Sequence, residues 1–148
     1  MLNGKKVLLI ITGGIAAYKS LELVRKLKEK GADVIPVMTK AAENFVTPMS
    51  VSALAQEKVF NKLFDLTDEA EMGHIELSRS SDLIIVVPAS ADFIAKTATG
   101  QANDLASTLI LATDTKVLMA PAMNVRMWEN PLTQKNIKIL HNNGVKFV

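Results

Sequence analysis

The chain has 148 residues, of which 49% are hydrophobic and 22% charged, and its formal net charge is +2. This composition is typical of one globular domain and excludes a disordered chain, and the balanced charge argues against nucleic acid as the main partner. The sequence has no cysteine and two histidines, so we expect no disulfide, no metal site and a reducing, cytoplasmic compartment.

The N-terminal segment predicts a strand that turns into a helix. The apolar run 5–10 is typical of a strand buried on both faces. It begins with two lysines, Lys5 and Lys6, as a signal peptide could, but a Gly-Gly pair and an amphipathic helix come shortly after it, which favours the strand. The helix is predicted to continue to about residue 30, with Gly31 after its end. No apolar stretch is long enough to span a membrane, so we expect no membrane association.

The remaining elements continue the alternation of strand and helix. A second strand is predicted over 32–39, where Pro36 indicates an edge position or a bulge. Thr47 and Pro48 have the pattern of an N-cap and first helical residue. The further predicted elements, in chain order, are a helix to about 56, a short strand over 58–64, an acidic loop over 65–73, a helix over 74–82, a strand over 83–88, helices over 91–99 and 103–112, a strand over 116–121, a helix from 131 to about 143 and a last strand over 145–148.

This alternation predicts the fold class. Strands that alternate with helices form an α/β fold, here a single domain over 1–148 with a Rossmann-like or flavodoxin-like, doubly wound parallel sheet in a three-layer αβα arrangement. In such a sheet, ligands bind beyond the carboxyl ends of the strands. The residues that directly follow each strand are therefore the candidates for a site.

The first two strands are followed by residues that suit a phosphate group. Gly13 and Gly14 let the backbone approach an anion at the start of a helix, although a plain tight turn would use the same residues. Thr39 and Lys40 stand where a dinucleotide fold would carry an acidic residue for a ribose. A hydroxyl and a cation fit a terminal phosphate better than an adenosine, and an ordinary solvated loop is the alternative.

The third strand is followed by Ser90 and Asp92, which could hydrogen-bond a polar ligand edge. Either side chain could equally cap the helix that begins there, and we expect capping to be part of the role of this segment.

The fourth strand is followed by the sequence MAPAMNVRMW, residues 119–128. An amide can donate through its NH2 group to a carboxylate and still accept through its oxygen, so we interpret Asn124, between two prolines, as functional. Methionines suit a flat, polarizable ligand, whereas core packing is the alternative role for Met119, Met123, Met127 and Trp128. For Met119 we expect core packing.

His74 is the candidate general base. It is predicted to begin a helix, and a helix N-terminus favours the neutral imidazole. A structural or merely exposed histidine is the alternative.

Four segments together resemble one protein family. The sequence PAMNVRMW (121–128) is similar to the Pro-x-Met-Asn-x-x-Met-Trp motif of the homo-oligomeric flavin-containing cysteine decarboxylases. The segments GGIAAYK (13–19), HIEL (74–77) and PASADFIAK (88–96) resemble further motifs of the family and occur in the same order. The resemblance covers essentially the whole chain, and within the family it is greatest to the members that act on 4′-phosphopantothenoylcysteine in coenzyme A biosynthesis.

The resemblance implies FMN as the cofactor and a role for each matched residue. His74 would be the catalytic base, and Asn124 and Met127 would bind the substrate. The residues implied to contact FMN are Gly13, Gly14, Ile15, Thr39, Ser90, Ala91, Asp92, Phe93 and Ala122. The implied reaction oxidises the cysteine side chain to a thioaldehyde with the flavin as oxidant and releases CO2 to leave an enethiolate. The same flavin then reduces the enethiolate to 4′-phosphopantetheine. The family also implies a homotrimer or dodecamer with FMN near the subunit contacts.

The sequence departs from the family at two points. Asp92 stands where the family usually has asparagine. The family also has a later segment with an Ala-Cys-Gly motif, whereas this chain ends at Val148 without a cysteine, so we expect it to be a fragment of a longer protein. The alternatives are a peptidyl-cysteine decarboxylase of lantibiotic maturation, a prenyl-flavin synthase, which we would not expect to carry the asparagine motif, and a non-catalytic flavin-binding subunit.

Overall fold

The structure is a computed structural model that describes residues 1–63 and 70–148, without the side chains of residues 70–72, 74 and 75. The described residues form five strands: β1 (Lys6–Ile11), β2 (Asp33–Met38), β3 (Leu83–Ala89), β4 (Val117–Pro121) and β5 (Lys146–Phe147). Seven α-helices are present in the described chain: α1 (Lys19–Glu29), α2 (Pro48–Ala55), α3 (Ala70–Ser80), α4 (Ala91–Ala98), α5 (Leu105–Ala112), α6 (Val125–Glu129) and α7 (Pro131–Asn142). Two 3-10 helices cover Ile15–Tyr18 and Ala41–Asn44.

The strands form one parallel sheet in the order β2-β1-β3-β4-β5. The chain moves from β1 to one side to form β2 and then returns to form β3 on the other side of β1. The gap beyond the carboxyl ends of β1 and β3 is therefore the topological switch point, the usual ligand position in this fold. This is the flavodoxin-like arrangement that the alternation of elements predicts.

Both faces of the sheet are covered, which explains the continuous apolar runs in the strands. Along β1, Leu9 and Ile11 belong to a core that includes residues of α1 and α2, whereas Leu8 and Ile10 belong to a second core that includes residues of α4, α5 and α7. The three-layer αβα arrangement is thereby confirmed. Within the described parts of the chain, no helix combines the length and the hydropathy needed to cross a bilayer.

The edge position predicted from Pro36 is confirmed, because β2 is an outer strand of the sheet. Its register with β1 runs without a break from Lys6–Asp33 to Ile11–Met38, so there is no bulge. The strand predicted over 58–64 is wrong for residues 58–63, which contribute only one parallel bridge, between Phe60 and Val37. Residue 64 and residues 65–69 of the predicted acidic loop lie outside the described residues.

Two helices differ from the sequence prediction. Helix α3 begins at Ala70 and not at residue 74, so His74 lies in its second turn. The helix start predicted at His74 is therefore wrong. Helix α6 was not predicted. Five residues are too few to show a helical period, and only the cap at Asn124 indicates it.

Candidate cofactor and substrate site

A cleft lies at the switch point, beyond the carboxyl ends of β1, β2 and β3. Its volume is about 360 Å³, within the range of small-molecule sites. We name it the switch-point cleft, and its lining residues are Thr12, Gly13, Thr39, Lys40, Ala41, Asn44, Ser90, Asp92, Phe93, Lys96 and Asp104. The residues singled out after the first three strands thus meet in one place, as the parallel sheet requires.

The turns after β1 and β2 touch each other at the cleft. A Cβ atom added to Gly13 would lie 2.5 Å from the Cβ of Ala41, so only glycine allows this approach. In the described chain, the backbone N–H groups of Gly13, Gly14, Lys40 and Ala41 donate to no protein acceptor. Unpaired N–H groups of this kind favour an anionic ligand. Ile15, which begins the 3-10 helix, is 84% exposed.

Ser90 and Thr39 present hydroxyl donors to the cleft. The Oγ atom of Ser90 accepts from the N–H of Phe93 at 3.1 Å and caps α4, which confirms the predicted capping. The Oγ1 atom of Thr39 accepts from the N–H of Ala42 at 3.2 Å. Because a hydroxyl has one donor hydrogen, and neither side chain donates it within the described protein, both hydrogens are available to a ligand. Ala91 and Phe93 lie in the first turn of α4, and Phe93 is buried in the core.

Thr12 is a cleft residue that the sequence prediction of the site omitted. It directly follows β1, it is 1% exposed, and its hydroxyl bonds Pro88 near the end of β3 and Ser90 directly after β3. A hydroxyl beside a glycine pair at a strand end is the only signal that the sequence offers for it.

The charges in the cleft are balanced. Lys40 and Lys96 oppose Asp92 and Asp104 among the lining residues. The Nζ atom of Lys96 lies 3.5 Å from a carboxylate oxygen of Asp92, whose side chain is 78% exposed. Asp104 caps α5 by accepting from the N–H of Ser107 at 2.8 Å. Asp92 therefore lies at the rim with a partner, and an exposed pair of this kind contributes little stability.

A second, open groove of about 480 Å³ lies along α6. Its lining residues are Asn124, Val125, Arg126, Met127 and Asn130, and it shares none of these with the switch-point cleft. The Oδ1 atom of Asn124 accepts from the N–H of Met127 at 2.9 Å and caps α6. With its oxygen held in this way, the amide has its NH2 group left to donate.

The methionines of this segment have different surroundings. Met119 is fully buried, so its predicted core role is confirmed, whereas Met127 and Trp128 are exposed. The N–H of Ala122 donates to the carbonyl of Ala89 at 3.1 Å, which joins the ends of β3 and β4. The segment that leads to Asn124 is thus hydrogen-bonded to the end of β3, which Ser90 follows directly.

The predicted site residues separate into three groups. Gly13, Thr39, Ser90, Asp92 and Phe93 line the switch-point cleft. Gly14, Ile15, Ala91 and Ala122 do not line it: the first three are close to lining residues in sequence, and Ala122 bonds Ala89, the residue before Ser90. Asn124 and Met127 line the α6 groove, and the side chain of His74 lies outside the described residues.

The fold and these motifs agree with a known family. The sequence model of the family described as Flavoprotein matches residues 1–148. The chain belongs to the Flavoprotein family. The coenzyme A biosynthesis bifunctional protein CoaBC of Vibrio vulnificus (strain YJ016) is 52% identical over 145 residues, which cover 98% of this chain and 36% of that protein. CoaBC of Bacillus subtilis (strain 168) is 41% identical over 148 residues, which cover 100% and 36%. The chain thus spans about a third of the length of these curated relatives.

Solved structures share the fold over nearly the whole chain. The FMN-dependent cysteine decarboxylase SpaF has a TM-score of 0.91 at 26% identity, over 100% of this chain and 85% of its own. Peptidyl-cysteine decarboxylase EpiD has a TM-score of 0.83 at 30% identity, over 97% and 85%. A PPC decarboxylase mutant complexed with pantothenoylaminoethenethiol has a TM-score of 0.82 at 29% identity, over 97% and 81%. The predicted resemblance to the flavin-containing cysteine decarboxylases is confirmed.

Proposed function

We propose that this chain binds FMN in the switch-point cleft and decarboxylates 4′-phosphopantothenoylcysteine to 4′-phosphopantetheine in coenzyme A biosynthesis. The observation that carries the proposal is that the polar side chains of the site have hydrogen-bond donors available to a ligand. Ser90, Thr39 and Asn124 each use an oxygen to accept from a backbone N–H and have a donor left over. Such a site complements ligands rich in acceptors, and both FMN and this substrate carry a phosphate group.

The cleft fits the phosphate-bearing part of FMN. The lining residues Gly13, Lys40 and Ala41 have backbone N–H groups that are unpaired in the described chain, and Thr39 and Ser90 add two hydroxyl donors. Gly13 keeps the turns after β1 and β2 close enough for both to reach one anion. We assign FMN contacts to Gly13, Gly14, Ile15, Thr39, Ser90, Ala91, Asp92, Phe93 and Ala122.

FMN, when bound, would supply the two-electron oxidation of the cysteine side chain to a thioaldehyde, which provides an electron sink for decarboxylation, and would return the two electrons to the enethiolate that remains after CO2 is lost. The protein orients the group that leaves. Asn124 donates through its NH2 group to the substrate carboxylate, and the bond from the Met127 N–H prevents the amide from turning its oxygen toward that carboxylate. Met127 provides an apolar wall. We assign the catalytic base to His74, by analogy with the family.

We also propose that copies of the chain associate, as a homotrimer or a dodecamer, with FMN near the contact. One set of exposed apolar side chains follows β1 and β2 and consists of Ile15, Tyr18, Phe45 and Met49. A second set on α6 and the start of α7 consists of Val125, Met127, Trp128 and Leu132. Both sets follow the carboxyl ends of strands, and exposed apolar surfaces on the same side of the molecule favour an interface there. We also propose that the protein is located in the cytoplasm.

The sequence comparison favours the phosphopantothenoylcysteine substrate over a peptidyl cysteine. Structural likeness does not separate the two, because SpaF, EpiD and the PPC decarboxylase all share the fold. The CoaBC relatives are 41% to 52% identical, however, whereas EpiD is 30% identical.

The test has two stages. The first is the visible spectrum of the purified chain with added FMN, followed by removal of free ligand and identification of the chromophore by mass. A chain that retains no FMN contradicts the proposal. The second uses 4′-phosphopantothenoylcysteine labelled with ¹³C in the carboxylate, and a peptide ending in cysteine labelled in the same way. We expect ¹³CO2 from the first substrate only, and release from the peptide alone would favour the alternative.

The role of His74 has its own variant. His74→Asn should retain FMN, as judged by the flavin absorption, and should release no ¹³CO2. Turnover at the parental rate would show that the base is another residue.

A further inference from the structure

We propose that Thr12 is a positioning residue of the FMN site, which acts by joining the end of β1 to the end of β3 and to Ser90 directly after it. The inference rests on the proposed FMN binding and names a residue for which neither the family motifs nor the site prediction gave a role. Thr12 is buried at 1% exposure and lies at the switch point, between the two strands where the order of the sheet changes direction.

The Thr12 hydroxyl makes two hydrogen bonds across this point. It donates to the carbonyl oxygen of Pro88 and accepts from the backbone N–H of Ser90 at 3.0 Å. The partners are 76 and 78 positions away in the sequence. The Thr12 side chain thus bonds the two residues that flank Ala89.

The sheet itself does not supply this connection. The paired register of β1 and β3 runs from Val7–Leu83 to Ile10–Val86 and ends there. Beyond it, the register of β3 with β4 shifts between Val86 and Ala89. The Thr12 hydroxyl is therefore the side-chain bond that links the β1 end to the β3 end past their last paired residues in the described chain.

The position of the link determines what it would control. Gly13 follows Thr12 directly, and the Ser90 hydroxyl, like that of Thr39, donates to no acceptor in the described chain. The distance between the glycine turn and the Ser90 hydroxyl is therefore set through Thr12. A ligand that bridges the two segments binds well only if that distance is maintained, because preorganised donors lose little freedom on binding.

Thr12 has little left to offer a ligand directly. Its single hydroxyl hydrogen is given to Pro88, and a free lone pair cannot bond a phosphate oxygen, which is itself an acceptor. The effect of its side chain on FMN therefore passes through Gly13 and Ser90. This distinguishes it from Ser90 and Thr39, which keep a hydrogen to donate.

The experiment compares three variants of the full chain. Thr12→Val removes both hydrogen bonds while keeping the shape, and Thr12→Ser restores the hydroxyl. Thr115→Val is the matched control, because the Thr115 hydroxyl donates to the carbonyl of Ser78 at 3.0 Å, 37 positions away and outside both grooves described above. FMN affinity is measured by titration, and residue-resolved amide hydrogen exchange reports the Ser90 N–H in the absence of ligand.

We expect Thr12→Val to weaken FMN binding by about tenfold or more, with Thr12→Ser and Thr115→Val within about threefold of the parent. Exchange at the Ser90 N–H should accelerate in Thr12→Val alone. If Thr12→Val binds FMN as the parent does, or if Thr12→Ser fails to restore binding, Thr12 is not a positioning residue.

Failure of the proposed function gives a different result. A parent chain that binds no FMN overturns FMN binding and with it the role of Thr12 toward FMN. The exchange data then still test whether the Thr12 hydroxyl holds Ser90 in place. Equal exchange rates of the Ser90 N–H in the parent and in Thr12→Val would show that it does not.

Discussion

At the scale of single residues, the recurring feature of this site is a side chain whose oxygen is occupied by a helix N-terminus. Ser90 caps α4 and Asn124 caps α6, each by accepting from a backbone N–H. For Ser90, the sequence alone leaves helix capping and ligand binding as alternative roles of the side chain. The structure shows that capping occupies only the acceptor, so the two roles are compatible.

The orientation of Asn124 gives the first prediction. Asn124→Asp should preserve α6, because aspartate caps helices as well as asparagine does, but it replaces two donors by a negative charge. We expect unchanged FMN binding and a loss of affinity for 4′-phosphopantothenoylcysteine of about tenfold or more, equivalent to about 1.4 kcal/mol. Calorimetric titration of the FMN-loaded protein with substrate measures this.

A second variant separates charge repulsion from loss of the donor. Asn124→Ser keeps a capping oxygen and adds no charge, so its affinity for the substrate should lie between those of the parent and Asn124→Asp. Parental affinity in both variants would remove Asn124 from the substrate site.

His74 and Thr12 mark where residue-level prediction stopped. The histidine was assigned to a helix start because its acidic neighbours look like loop, but α3 begins four residues earlier, at Ala70. Thr12 could not be predicted, because its two partners lie 76 and 78 positions away and are brought to it only by the pairing of β1 with β3. Contacts of this kind depend on the topology and leave no local pattern.

At the scale of elements, the turn between β1 and α1 contains two glycines with different requirements. A Cβ at Gly13 would lie 2.5 Å from the Ala41 side chain and 2.9 Å from its backbone carbonyl carbon. Gly14 is extended, with φ −179° and ψ 158°, and the atom nearest to an added Cβ is the Pro88 Cγ at 4.0 Å. The protein itself therefore requires glycine at Gly13 and tolerates a side chain at Gly14.

These requirements predict opposite results for two alanine variants. Gly13→Ala should destabilise the fold by about 1–3 kcal/mol, because the turn after β2 must move. Gly14→Ala should leave stability unchanged and weaken FMN binding, because the methyl group would occupy space that we assign to the ligand. Urea denaturation and FMN titration measure the two effects. Parental FMN affinity in Gly14→Ala would exclude Gly14 from the site.

The elements were predictable to the extent that they are long or buried on both faces. Each of β1, β3 and β4 is a continuous apolar run, and the pairs Thr47-Pro48 and Asn130-Pro131 begin α2 and α7 as expected. Helix α6 escaped because it buries no residue and spans little more than one turn. The segment 58–64 is predicted as a strand, but among its described residues, 58–63, only Phe60 pairs with the sheet edge.

At the scale of the whole molecule, the alternation of elements and the right-handed crossover rule allow few topologies, and the observed order β2-β1-β3-β4-β5 is one of the two common ones. That order brings the ends of β1, β2 and β3 to one cleft. It leaves Asn124 and Met127 in a separate groove within one chain, which was not foreseen. A substrate carboxylate bound to Asn124 of one copy would lie near FMN bound in another copy if the α6 groove of the first meets the switch-point cleft of the second.

This arrangement predicts that association and FMN binding are lost together. Leu132, 69% exposed beside the α6 groove, belongs to the apolar set that we assign to the interface, whereas Leu111, 59% exposed, lines a different cavity at the amino-terminal end of β4. Leu132→Lys places a charge in the interface and should give a species of 16.1 kDa by light scattering, with weakened FMN binding, while Leu111→Lys keeps the parental mass and affinity. A parent that is itself monomeric yet binds FMN and turns over would show that one copy completes the site, and the groove along α6 would then have to reach the cleft within a single chain.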